Sequence, residues 1–180
     1  MALRPVKRRR RDGRVVVTLP GPVAQLLAQV VTELGEVFAS PPPGEVTNRL
    51  FPRAYLDPTE ENAEQEFQSV VHDDLVRTRL DAVTAVVADL EGATPTSSDR
   101  VEIVLDDEAE DRWLTVLNDA RLTLGTVLGV TEDEPLDFPA DDARAAGADM
   151  YALLSALQGE LVEVVLDELP ETGTDDPGPS

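Results

Sequence analysis

Apolar residues recur at helical spacing through most of this chain, and only two short stretches carry the β-branched pattern of a strand. The first stretch, 14–19, is stopped by Pro20-Gly21-Pro22, and the second is 101–105. Their matched length and character predict that they pair. Between them, Val23, Leu26, Leu27, Val30, Val31, Leu34, Val37 and Phe38 follow the spacing of one buried helical stripe, with Pro22 at a first-turn position. Ser40-Pro41-Pro42-Pro43-Gly44 ends that helix. The apolar cluster Leu50, Phe51, Tyr55 and Leu56, interrupted by Pro52, reads as an ordered loop or helical turn over the core.

Thr59 suits an N-cap, with Glu60 and Glu61 in the first turn and Ala63, Phe67, Val70 and Val71 inward. The phase slips at His72-Asp73-Asp74 and resumes as Val76, Leu80, Val83, Val87 and Leu90, which predicts a break near Asp73. After the second strand, acidic residues 106–111 open a long helix that is the centre of the chain. Trp113, Leu114, Val116, Leu117, Ala120, Leu124, Val127 and Leu128 share a broad apolar arc, while Leu122 lies opposite and asks for cover on a second side. A last helix is expected over 141–169, with Gly147 as an irregularity. The predicted fold is mainly α: about five helices around one core, with a minor two-stranded β-sheet. A single domain over 14–169 is expected, with disordered tails at 1–13 and 170–180.

Charge changes this picture in one respect. The net charge is −21, but seven cations against Asp12 give the first fourteen residues +6 and leave −27 beyond Arg14. A body so acidic repels a phosphate backbone, so contact with DNA is expected at most through the basic tail of Arg4, Lys7, Arg8, Arg9, Arg10 and Arg11. The absence of cysteine removes disulfides, thiolate nucleophiles and thiol sensing. No signal-peptide pattern or membrane-length apolar run is found, and the chain is read as cytoplasmic.

The single histidine, His72, leaves no material for Ser-His-Asp designs or most transition-metal sites. The carboxylates Asp106, Asp107, Glu108, Glu110 and Asp111 lack the spacing and turn glycine of a calcium loop, and helix capping accounts for them. Glu60 and Glu64 resemble di-iron helices without the histidines these need. No catalytic, cofactor or metal residue is assigned. Two arginines stand out, because Arg79 and Arg121 both project from apolar arcs where a guanidinium needs acceptors. With Glu64, Trp113, Asn118 and Asp119 they form the candidate polar cluster or partner contact. It is read either as an internal salt-bridge cluster that fixes helix register or as a patch facing a partner.

Three segments together, RLFPRAYLDPTEENAEQEF from Arg49, WLTVLNDARLTLGTVLGV from Trp113 and MYALLSALQGELVEVVL from Met150, resemble an actinobacterial family catalogued as a domain of unknown function. That family is typically encoded beside the Clp adaptor ClpS, and some members are named oxidative-stress transcription regulators, AosR. The resemblance implies a non-enzymatic cytosolic regulator or adaptor. Its partner would be a protein, of the transcription machinery or of the Clp system. Sensing through paired cysteines is not carried over, since only Met1 and Met150 supply sulfur here. An acidic metal-binding protein or an uncharacterised enzyme is the competing reading.

Overall fold

Strand β2 (Val15–Pro20) pairs antiparallel with β4 (Arg100–Leu105), from Val15 opposite Leu105 to Pro20 opposite Arg100. The computed structural model describes residues 4–52, 57–131, 138–139 and 141–167, without the side chains of residues 58 and 63–71. The pairing of the two stretches is as their pattern predicts. The two-stranded sheet is not: the sheet has four strands in the order β1-β2-β4-β3, with β1 at Val6–Arg8 and β3 at Thr94–Pro95. Both added strands are three residues or fewer, too short to show alternation in the sequence.

The basic segment expected as a disordered tail is therefore a hairpin arm. Arg9 and Arg14 close its turn through Arg9 N–H donating to Arg14 C=O at 2.8 Å, and Gly13 takes the left-handed φ of +71° that the turn requires. Val6 is 2% exposed, so the arm contributes to the core. The edge of β1 is covered as well as short. Val6 N–H donates to Glu160 Oε2 at 3.0 Å, which answers a sheet edge with a carboxylate from the last helix.

Helix α1 (Gly21–Ala39) leaves β2 directly and buries Ala24, Leu27, Val31, Leu34 and Phe38. The ambiguous apolar cluster contains a short helix, α2 (Glu45–Leu50), while residues 53–56 lie outside the described ones. Thr59 does not cap the next helix. Asp57 instead accepts from Thr59 N–H at 2.8 Å and starts a 3₁₀ turn, Pro58–Glu60. Helix α3 (Glu61–Glu91) then runs unbroken through Asp73 for 31 residues. A helix of that length reaches about 46 Å, roughly 18 Å beyond what the 19 residues of α1 can cover. A slip of phase in the apolar pattern is therefore compatible with one continuous helix, since the backbone hydrogen bonds do not depend on which side is apolar.

Helix α4 (Asp107–Leu128) has the predicted acidic start, with Asp106 accepting from Ala109 N–H at 2.9 Å, and ends on Gly129 at φ +69°. Helix α5 (Ala145–Leu166) starts later than predicted, because Asp142 accepts from both Arg144 N–H and its guanidinium and folds the chain into a turn there. Gly147 is a site of close approach. A Cβ on it would meet Leu128 at 3.1 Å, and one on Gly125 would meet Tyr151 at 3.0 Å, so each helix offers a glycine to the other. The predicted tail 170–180 lies outside the described residues.

Since the arm is built in, a chain lacking residues 1–8 should lose stability. Burial of Val6 alone is worth about 1.5–3 kcal/mol, so urea unfolding should show a loss of at least about 2 kcal/mol, with unchanged stability refuting this role.

Candidate functional site

The candidate cluster is divided by the structure into separate parts. Arg79 Nε lies 3.4 Å from Asp119 Oδ2, joining α3 to α4, with Asp119 only 4% exposed. One terminal nitrogen of Arg79 donates to the Leu50 carbonyl at the end of α2, where helix geometry leaves C=O groups without intrahelical partners. The guanidinium carbon stands 5.5 Å from the Phe38 ring centre and 4.9 Å from that of Phe51. A single side chain thus fastens α1, α2, α3 and α4 at one point, with the His72 ring tilted against Phe51 at 5.0 Å between centres. Burial raises the Asp119 carboxyl above its ordinary 3.8, and the Arg79 charge opposes that shift.

Arg121 does not join this cluster. Positions two apart on a helix differ by about 200°, so Asp119 points away from it. Asn118, three residues away and on the same side, accepts instead from Gln158 Nε2 at 3.4 Å across to α5. The Nε of Arg121 is buried without a hydrogen-bond partner among the described residues. Trp113 is a core residue, 1% exposed, and donates its indole N–H to Asp89 Oδ2 on α3 at 2.9 Å. The side chain of Glu64 lies outside the described ones.

A second polar junction was missed by the sequence reading. Arg8 donates to the Val164 carbonyl near the end of α5 at 3.2 Å and lies 3.6 Å from Glu110, itself 5% exposed at the start of α4. A signal existed, since Glu110 lies three and seven residues before Trp113 and Leu117 and so shares their buried face. The remaining cations of the arm are partly engaged, Arg4 with Glu163 at 3.3 Å, Lys7 with Glu102 at 3.9 Å, and Arg9 with Asp12 at 3.2 Å. Arg14 borders a cleft shared with Asp106, Asp107 and Glu108. Among the described residues no three histidine or carboxylate side chains converge as a metal site, and no helix is long and apolar enough to cross a membrane.

One surface feature stands apart from these polar contacts. An apolar groove between α1 and α4 is lined by Val30, Leu34, Val37, Ala120, Leu124 and Val127, with Glu33 as its charged member. Val127 belongs to the predicted apolar arc of α4, yet it is 68% exposed.

Residues 4–165 match the family model described as "Domain of unknown function (DUF2017)", and the chain belongs to that family. The protein named "Oxidative stress regulator AosR" in Mycobacterium tuberculosis is 28% identical over 132 residues, covering 69% of this chain and 60% of its own length. The AosR-named protein of Mycobacterium leprae is 27% identical over 141 residues, covering 74% of this chain and 64% of that one. The chain thus spans less than two thirds of the length of these curated relatives. No solved structure matches it.

The two arginines should respond differently to substitution. Arg79→Met leaves Asp119 buried without its cation and should cost about 3–5 kcal/mol, whereas Arg121→Met removes a donor without a partner and should change stability by under about 1 kcal/mol in either direction. Chemical denaturation of both variants decides this, and equal losses would reject the distinction.

The raised Asp119 carboxyl also fixes the sign of a pH effect. The folded state binds that proton more readily than the unfolded state, so this group's contribution to stability falls as pH rises from about 3.8 through the raised value. Stability of the native chain relative to Asp119→Asn should therefore decline over that window, and a rising difference would contradict the assignment.

Proposed function

From its family membership we propose that this chain is a non-enzymatic regulatory protein that works through a protein partner in stress-responsive transcription. The observation that carries the reading is the similarity, over about 70% of the chain, to proteins named as oxidative stress regulators. The structure supports it through the use made of the polar groups. Arg79, Asp119, Arg8 and Glu110 are spent on joining helices and strand, while the α1–α4 groove presents apolar side chains to solvent.

The response is not a thiol response in this chain. It has no cysteine, and Met150 is 6% exposed in the core, shielded from oxidants. The proposed role is that of an adaptor whose contact with the transcription machinery, or with the Clp system, is set by its surface and its abundance. The arm's cations serve chiefly the acidic body to which they are tied, and any contact with DNA would fall to the exposed turn at Arg10 and Arg11.

Deleting the gene should alter transcript levels after peroxide challenge, and crosslinking from native cytosol should recover a defined protein partner. An unchanged transcript response together with stoichiometric metal in the purified protein, measured by elemental analysis, would overturn the reading in favour of a metal protein.

A further inference from the structure

We propose that the groove between α1 and α4 receives an amphipathic helix from another protein, with apolar residues along one face and lysine or arginine at its border. This rests on the regulatory reading only for the existence of a partner; the surface is argued from its own geometry. Helix α1 carries two apolar stripes. Ala24, Leu27, Val31, Leu34 and Phe38 face the core, and Val30 and Val37, half-buried against that core, line the groove, with Leu26 one turn before Val30 and 50% exposed. Positions 26, 30, 33 and 37 follow each other by one helical turn, so the stripe runs about 16 Å, enough for three turns of a docked helix.

On the facing helix, Ala120, Leu124 and Val127 form the other wall, and the Thr123 hydroxyl is buried at the groove without a hydrogen-bond partner among the described residues. An apolar channel with one unanswered polar atom is the arrangement that a helix-in-groove contact uses, apolar anchors supplying affinity and the polar group fixing register. Val30, Val37 and Leu124 rest against the core and line the channel at once, while Val127 at its margin is left in water.

Charge selects the occupant. The body beyond Arg14 carries −27, and Glu33 lines the groove. A second copy of the chain would bring a net −21 against −21 and is disfavoured. The chain's own C-terminal stretch is no better suited: residues 170–180 hold Pro170 and Pro177 and no Leu, Ile, Val, Met or aromatic residue, so they cannot supply anchors. A helix with a cationic border gains attraction to the rim while its apolar face fills the channel.

The test uses the full chain and two synthetic helical peptides that share leucines at positions i, i+4, i+7 and i+11, one bordered by lysine and the other by glutamate. The lysine peptide should bind with a Kd on the order of 10 µM, typical of a single short docking element, and should perturb the amide resonances of Val30, Val37, Leu124 and Val127. Val127→Glu and Leu26→Glu, both exposed and so harmless to folding as judged by unchanged unfolding curves, should each weaken it at least tenfold. Equal binding of the glutamate peptide, perturbations outside the groove, or binding unaffected by both variants would overturn the proposal. So would concentration-dependent dimerisation in sedimentation that Val127→Glu abolishes, since the groove would then belong to a second copy. Because the peptides are designed, these outcomes stand whether or not deletion of the gene alters transcription.

Discussion

The ladder between β2 and β4 joins residue 15 to residue 105, and closing a loop of that length must be compensated by what it brings together. The ladder alone cannot do so, since a two-stranded ribbon is marginal in water. Its return comes from the helices it launches: α1 follows β2 without a linker, and α4 follows β4 after the single capping residue Asp106. Both helices are thereby committed to the face of the sheet bearing Val15, Val17, Leu19, Ile103 and Leu105, and α3 is the crossing element between them. The arm strand β1 and the helix α5 then close the far side, locked to each other by Glu160 and Arg8.

Charge is the second constraint. A body of −27 repels itself, and a compact fold has to place its few cations where they relieve most. Most lie in exposed pairs, but two are placed at buried junctions between elements. Arg8 reaches the start of α4 and the end of α5 together, so one guanidinium answers a buried carboxylate and a C-terminal carbonyl whose dipole favours positive charge. Arg79 does the same at the end of α2 and against Asp119. In both cases a planar fork with several donors serves two acceptors on different elements, a task a lysine ammonium performs less well. This chain's composition, with arginine as almost its sole cation, matches that use.

Legibility in the sequence followed the length of the signal. Long stripes placed α1, α4 and α5, and β-branched runs placed the two strands that pair. What remained hidden was short or depended on a neighbour. Three residues of β1 and two of β3 are below the length at which alternation can be seen, so a strand whose polar members are Lys7 and Arg8 looked like a charged tail. The slip of phase in α3 was real, but periodicity reports which side of a helix is covered and not whether the helix continues. For the candidate cluster, the anomaly of Arg79 was visible as an angle, whereas its partners at Leu50, Phe38, Phe51 and Asp119 come from three other helices.

Arg121 and Val127 show the same limit from opposite sides. Both sit on the apolar arc of α4, and the sequence assigns both to the interior. An arc, however, records the width of the apolar face, and a core-facing helix needs only a stripe of about 100°. The margins of the arc of α4 are decided by packing: at one Arg121 keeps a buried Nε, and at the other Val127 is left in water. An excess of arc over cover costs about 25 cal/mol for each Å² of apolar surface exposed. On α4 that expense falls on Val127, and the half-buried Val30 and Val37 of α1 form the other wall of the groove it borders. The surplus is therefore better explained by an occupant than by the fold.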